Sequence, residues 1–305
     1  MNKRYSFKQN EVEKIINRFG KAFYERVLRD IEVYAEKWAL TSFQLIPSYS
    51  ANLVFICDSA SFGSVVLKLG NPSSRETFTE FNTLYRYNGR RFCKVFDADI
   101  ENGAILEERV QPGNPLRDES SLDKRLAVFC SLYKGLHITP AKEEIYPTYT
   151  EWVGRITAYM SKRQDCKKLY VHMKKAKDIC LSVSNLYSQK MLLHGDFHHD
   201  NILLGNDGKY VIIDPKGVIG DPVFDVPRFI LNEFSDEITT ELYKKINDII
   251  CILEKNLNIP NDILKQCLYV ETAMGVCWSV EDGTTPEEYE SLIKKVAFAE
   301  TILNT

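Results

Sequence analysis

At 305 residues, with 44% hydrophobic and 27% charged side chains, the chain has the composition of an ordinary globule and length enough for one large domain or a pair of lobes. A net charge of −3 argues against nonspecific nucleic-acid binding. No window approaches a membrane span, and Met1-Asn2-Lys3-Arg4-Tyr5 has no signal-type apolar stretch behind it, so the expected setting is the cytoplasm, with no nucleic acid and no membrane as partner.

Apolar residues from Val12 to Tyr34 recur at spacings of three and four, which predicts one or two amphipathic helices between Asn10 and Ala39, with Gly20 as the break, packed outside the following lobe. From Thr41 the texture becomes strand-like: Ser42–Ile46, Leu53–Cys57 and Ser64–Leu69. Lys68 interrupts the apolar run Val65-Val66-Leu67-Lys68-Leu69, where a lone charge is either solvated or held for a purpose. A helix is predicted over Ser73 to Tyr87, carrying Glu76 and Glu80 one turn apart. Phe92–Asp99 and Gly103–Val110 complete a five-stranded antiparallel sheet, and Gln111-Pro112-Gly113-Asn114-Pro115 marks a lobe boundary, giving lobes 1–110 and 111–305. Helical spacing then dominates: Leu122–Leu136, Tyr149–Arg163, Lys168–Tyr187, Pro222–Phe234, and a final pair, Asp236–Asn256 and Asn261–Val280.

Between the third and fourth of these lies the stretch with the clearest chemistry. Leu192-Leu193-His194-Gly195-Asp196-Phe197-His198-His199-Asp200-Asn201-Ile202-Leu203-Leu204 reads as strand, polar loop and strand; an Asn206-Asp207-Gly208 turn leads to a third strand ending on Asp214. Asp196, Asn201 and Asp214 thus come to one end of a small hairpin. Phosphoryl transfer needs such a set: one carboxylate to orient a hydroxyl and take its proton, and an amide and a second carboxylate to hold Mg²⁺ on nucleotide phosphates. A zinc site built from His194, His198 and His199 is the competing reading, but no soft ligand stands at a suitable spacing. A merely solvated turn is the other, and the apolar flanks oppose it.

His194-x-Asp196-x-x-x-x-Asn201 matches the kinase catalytic loop, with Asp214 in the place of the metal-binding Asp. Gly195 in place of Arg, and Asp214-Pro215-Lys216 in place of Asp-Phe-Gly, point away from protein kinases. The pattern His-Gly-Asp-x-His-x-x-Asn followed by Ile-Asp resembles the aminoglycoside phosphotransferase and choline kinase-like superfamily. Within it, Ile213-Asp214-Pro215-Lys216-Gly217 resembles the aminoglycoside/hydroxyurea antibiotic resistance kinases of streptomycin 6-kinase type. The resemblance implies an α+β, bilobal protein-kinase-like fold: an N-lobe with a five-stranded antiparallel sheet and helices, and a mainly helical C-lobe.

It also implies roles. Asp196 would be the catalytic base, Asn201 and Asp214 the Mg²⁺ ligands, and Lys68 the phosphate-binding strand lysine. Glu80 would hold Lys68, because Glu80-Phe81-Asn82-Thr83-Leu84 resembles the family's helix motif, leaving Glu76 exposed. The loop 47–52 lies where a kinase covers the phosphates; it has no glycine, so backbone N–H groups and Ser48 or Ser50 would serve. Glu107 C=O and Arg109 N–H are the candidates for binding the adenine edge, and Asp225 for bracing the catalytic loop. Trp278-Ser279-Val280-Glu281-Asp282-Gly283 resembles a family signature. An aromatic beside two acids suits a guanidinium or ammonium group, although a capped helix end with two solvated acids is the plain alternative.

The expected activity is phosphoryl transfer from ATP, or GTP, with Mg²⁺, to a hydroxyl of a small cationic molecule, an aminoglycoside such as streptomycin being the implied acceptor. Pro215 to Thr305 holds 16 Asp/Glu against 8 Lys/Arg, which suits a cation, and the remaining net +5 suits a nucleotide. A metabolic kinase acting on a choline-, sugar- or amino-acid-like alcohol is the alternative, and an inactive nucleotide-binding module the third. The protein is expected as a monomer or weak homodimer, and its eight scattered cysteines, without Cys-x-x-Cys, as reduced and mostly buried.

Overall fold

The computed structural model describes residues 4–49, 51–235 and 237–305. The chain divides into two compact units: residues 1–114 with 203–213, and residues 115–202 with 214–305.

The first unit opens with α1 (Gln9–Phe19) and α2 (Lys21–Lys37), separated where Gly20 takes φ +88°, a conformation that L side chains rarely adopt. Strands β1 (Leu40–Ile46), β2 (Asn52–Ser59) and β3 (Gly63–Gly70) follow, then α3 (Arg75–Tyr87), β4 (Val95–Asp99) and β5 (Ala104–Glu108). They form one antiparallel sheet in the order β1-β2-β3-β5-β4. Strand alternation sorts the faces. Leu53, Phe55, Cys57, Val65, Leu67 and Leu69 join Ile15, Phe23, Val27 and Ile31 of the two helices in a single apolar core. Lys68, one residue out of phase, is sent to the opposite face, where α3 turns in Glu80, Thr83 and Leu84. Helix α3 is capped by Ser74, whose side chain accepts from Glu76 N, and Glu76 itself is exposed. Strand β6 (Pro112–Pro115) closes this part of the chain and later pairs with a short hairpin further along it.

The second unit contributes α4 (Leu122–Tyr133), α5 (Tyr149–Ser161) and α6 (Lys167–Leu186) before β7 (Met191–Leu193). A turn of 3₁₀ helix at His199–Asn201 leads into β8 (Ile202–Gly205) and β9 (Tyr210–Ile212), which pair with β6 as part of the first unit. Strand β10 (Val218–Gly220) then returns antiparallel to β7. The helix predicted over Pro222 to Phe234 is instead two short pieces, a 3₁₀ turn at Pro222–Asp225 and α7 (Pro227–Leu231). Pro227 lacks the N–H that a continuous helix needs and starts a new segment instead. The two helices expected next are α8 (Thr240–Leu257) and α9 (Asn261–Glu281), but they are not the last: α10 (Tyr289–Leu303) was not anticipated. Its entry is signalled by Thr285-Pro286-Glu287-Glu288, a capping box in which Thr285 and Glu288 satisfy each other's backbone N–H groups.

Helix α9 is the axis of this unit. Thirteen of its residues are buried, from Ile263 to Val280, and α5, α6, α7, α8 and α10 all pack against it. A helix buried on nearly all sides must pair any charge it carries, a condition that bears on Glu271. Seven of the eight cysteines are buried and free; burial pushes the Cys57 and Cys277 thiols up to about 12, so they stay protonated packing groups. No helix among the described residues is long and apolar enough to cross a membrane.

Candidate active site

In the first unit, β3 and α3 bring Lys68 and Glu80 into a buried ion pair. Glu80 is fixed from its other side: Asn52 Nδ2 donates to Oε2 at 3.1 Å, and Thr77 Oγ1 donates to Asn52 Oδ1 at 3.1 Å. Glu107 brings a second carboxylate. Lys68 pairs in register with Ile105, so Glu107, two residues on, sits diagonally on the same face, its Oε2 3.1 Å from Lys68 Nζ. The sequence suggested only a main-chain role for Glu107; its side chain turns inward, where Cys93 Sγ also lies 3.8 Å from Oε2. Arg109 follows β5, its guanidinium donating to Ser64 Oγ at 3.2 Å. Ser50 lies outside the described residues.

In the second unit, the loop after β7 carries Asp196. Gly195 has φ +79°, and a Cβ there would stand 2.9 Å from the Trp152 ring and 3.0 Å from Val218 Cγ1. The departure from the protein-kinase Arg is thus required by close packing as well as by the backbone. Asp225 braces the loop: Oδ2 accepts from His194 N at 2.8 Å and Oδ1 from Gly195 N at 2.7 Å, while His137 Nε2 lies 2.9 Å from Oδ2. His194 Nδ1 accepts from Asp196 N at 3.1 Å. His199 packs flat on Phe229 and contacts Glu233 at 2.8 Å, so two of the three histidines are scaffold.

Asp196 itself is approached by the Arg228 guanidinium and the His198 ring. Arg228 Nε lies 3.1 Å and His198 Nε2 3.5 Å from its Oδ1. Burial alone would raise its pKa; Arg228, then His198 and Lys216, outweigh that and hold the carboxyl well below the usual range. Asn201 Nδ2 donates to Asp196 O at 2.9 Å, which points the amide's hydrogens into the loop and leaves Oδ1 as its ligand atom. Asp214 follows β9 in a left-handed conformation, φ +56°. Two residues on, Lys216 N donates to His194 O at 2.8 Å, so the segment carrying Asp214 is tied to the loop carrying Asp196 and Asn201. An amide oxygen and a carboxylate are the hard donors that Mg²⁺ takes, and these two positions fit that ion.

The three candidate acceptor residues lie at the end of α9. Trp278 meets Trp152 edge to face at 5.6 Å, and Trp152 in turn abuts Gly195. Glu281 is not an open acid, since Arg155 of α5 holds it through two bonds of 2.6 and 2.9 Å. Asp282 is the residue at which α9 ends. The sequence reading missed Arg228 and Glu271. Each is a single charge inside an apolar run, Pro227-Arg228-Phe229-Ile230-Leu231 and Tyr269-Val270-Glu271-Thr272-Ala273, the same signal that singled out Lys68.

The profile of the aminoglycoside/hydroxyurea antibiotic resistance kinase family matches residues 37–283. Streptomycin 6-kinase of Streptomyces glaucescens is 23% identical over 280 residues, 87% of each chain. Hydroxyurea phosphotransferase of Kitasatospora aureofaciens is 23% identical over 298 residues, 93% of this chain and 81% of that one. A thermostable aminoglycoside phosphotransferase, solved in ternary complex with ADP and hygromycin B, superposes with a TM-score of 0.62 over 90% of this chain and 97% of its own at 14% identity, a likeness of fold. The chain belongs to the aminoglycoside/hydroxyurea antibiotic resistance kinase family and is a phosphotransferase.

Proposed function

We propose that this protein moves the γ-phosphoryl of ATP to a hydroxyl of a small, cationic acceptor, with an aminoglycoside such as streptomycin as the substrate class. The observation that carries the reading is the state of Asp196: a carboxylate kept ionised despite burial, with the Arg228 guanidinium 3.1 Å from its Oδ1, in the same loop as an amide whose nitrogen is tied to the Asp196 carbonyl. Asp196 orients the acceptor hydroxyl and takes its proton late, once the bond to the leaving phosphate has loosened; a carboxyl of low pKa suits orientation better than early proton removal. Asn201 and Asp214 would hold Mg²⁺, which would supply charge neutralisation for the nucleotide phosphates. Lys68, fixed by Glu80, meets the phosphates, and the main chain at Glu107 and Arg109 meets the base. Trp278, with Asp282 and the Arg155-bound Glu281, borders the acceptor.

The engagement of Glu281 by Arg155 favours keeping a second acceptor class in view, a small neutral hydroxyl compound such as hydroxyurea, because Glu281 already has a cation of this chain as its partner. A coupled assay with Mg·ATP against streptomycin, hygromycin B, hydroxyurea and choline separates the two. Turnover with streptomycin is the expected result; turnover with hydroxyurea alone would move the acceptor to the neutral class, and turnover with choline alone would keep a cationic acceptor but exclude the aminoglycosides. Asp196→Asn is expected to lower kcat by roughly 10²- to 10⁴-fold with the KM for Mg·ATP little changed, and near-normal turnover in that variant would refute the role of Asp196.

A further inference from the structure

Arg228 and Glu271 belong to no motif, yet they form an ion pair well inside the second unit. The guanidinium on α7 bridges two carboxylates: Nε is 3.1 Å from Asp196 Oδ1, and Nη2 is 2.7 Å from Glu271 Oε1. Tyr149 of α5, fully buried, donates its hydroxyl to Glu271 Oε2 at 2.6 Å. A chain of four side chains thus runs Tyr149–Glu271–Arg228–Asp196, drawn from α5, α9, α7 and the catalytic loop. Glu271 is 2% exposed.

Burying such a set is not in itself a source of stability, since well-packed apolar residues of similar size would hold three helices together at least as well. A bridging arginine differs from an apolar contact in what it fixes. The contacts are ion pairs rather than aligned hydrogen bonds, since neither Arg228 Nε nor Glu271 Oε1 has a hydrogen-bond partner, so what Arg228 fixes is where its charge stands, and its end on Glu271 is the one anchored, through Tyr149. The other end reaches the Asp196 carboxylate. The Arg228 guanidinium and the His198 ring both approach the same oxygen, Oδ1.

We propose that Arg228, braced by Glu271 and Tyr149, is a positioning residue that grips the Asp196 carboxylate by its Oδ1 edge and so presents Oδ2 to the acceptor hydroxyl. This rests on the reading of Asp196 as the group that orients the acceptor, and it adds the device that sets the carboxylate's rotation. Without Arg228 the carboxylate can turn about its terminal bond, and an orientation worth one to two orders of magnitude in rate is lost while the nucleotide still binds.

The test is a double-mutant cycle on the full chain. Initial rates are measured with Mg·ATP and streptomycin, or with water as acceptor where streptomycin is not phosphorylated. Arg228→Met should lower kcat about 10- to 100-fold with the Mg·ATP KM within about two-fold, Arg228→Lys should recover part of the loss, and Glu271→Gln should cost about 3- to 10-fold. In the Asp196→Asn background Arg228→Met should cost nothing further, because its effect passes through the missing carboxylate. A kcat for Arg228→Met within two-fold of wild type overturns the proposal, and so does an equal loss in both backgrounds, the mark of a purely structural role. Where Arg228→Met fails to fold, Arg228→Lys and Glu271→Gln carry the same cycle. An Asp196→Asn single variant with normal turnover strikes the reading of Asp196 itself, and that control separates the two failures.

Discussion

Two clusters, one in each unit, have the same charge inventory and opposite emphasis. In the first, Lys68 stands between Glu80 and Glu107; in the second, Arg228 stands between Asp196 and Glu271. Each is two acids and one cation, mostly buried. The difference lies in which member is tied down. In the first, Glu80 is anchored by Asn52, which is itself bonded to Thr77, so the fixed acid presents a cation. In the second, Glu271 is anchored by Tyr149, and the fixed acid, through Arg228, presents another acid. Net charge is therefore a poor guide to what a buried cluster does. In the proposed reaction it is the side chain at the loose end of each cluster that would meet a ligand.

The widest gap between the clusters should open in kinetics. Lys68→Met is expected to lower kcat/KM for Mg·ATP by roughly 10²- to 10³-fold and to raise the KM itself, since it removes the point charge that meets the phosphates. Asp196→Asn should leave that KM nearly alone. Steady-state rates over a range of Mg·ATP decide it, and a Lys68 variant that lost only kcat would mean that both clusters serve the acceptor.

A smaller effect tests how rigidly the second cluster is set. Gly195→Ala places a Cβ 2.9 Å from the Trp152 ring in a residue at φ +79°. Strain and crowding together should cost about 2–3 kcal/mol of stability, read as a lower denaturation midpoint in urea. The loop should also lose turnover, because the residue that follows is Asp196. An alanine variant of wild-type midpoint and rate would show that the loop tolerates displacement.

Acid should loosen the second unit's scaffold before it reaches Asp196. His199 is buried beside Glu233, and burial lowers its pKa, so it stays neutral when folded. Glu233 is also buried, but His199, Arg125 and Lys245 hold its carboxyl well below the ordinary value. Both groups bind protons more readily unfolded, so stability rises with pH. The contribution of Glu233 is complete above about pH 4.5 and is lost as pH falls toward its folded value; that of His199 begins to fail already below about pH 6.5. Thermal melts should be level from pH 7 to 8, decline gently below 6.5 and steeply below 4.5. His199→Gln should remove the gentle part only, and a stability that rose on acidification would contradict both assignments.

Much of this was legible in the sequence, and the pattern of misses is physical. The five strands, the break at Gly20, Lys68 with Glu80, and the Asp196 loop all rest on short-range signals: alternation, a glycine, a lone charge in an apolar strand, a motif of eight residues. Arg228 and Glu271 lie 32 and 75 residues beyond Asp196, and no local pattern shows that three such charges meet. The sequence offers Glu107 only as a main-chain contact to the adenine and not as a side-chain partner of Lys68, because register, which decides its diagonal approach, is fixed by pairing across strands. Helix α10 was missed despite a legible capping box, and the piece from Pro222 was overextended despite a legible proline.

The finest distinction within the first cluster is between its two acids. Glu80 has a neutral amide partner that fixes its second oxygen; Glu107 has, on its Oε2, the Lys68 ammonium and the weakly donating Cys93 thiol. Replacing the braced acid should loosen Lys68, whereas replacing the other removes a buried negative charge that repels phosphate as much as it holds the lysine. Glu80→Gln is therefore expected to raise the Mg·ATP KM, and Glu107→Gln to change stability by less than about 1 kcal/mol while leaving that KM equal or a few-fold lower. Melting temperature and KM measured on the two variants side by side decide it. Equal damage from both would mean that Lys68 is held from two sides alike, and the asymmetry that distinguishes the two clusters would have to be sought elsewhere than in the bracing of one acid.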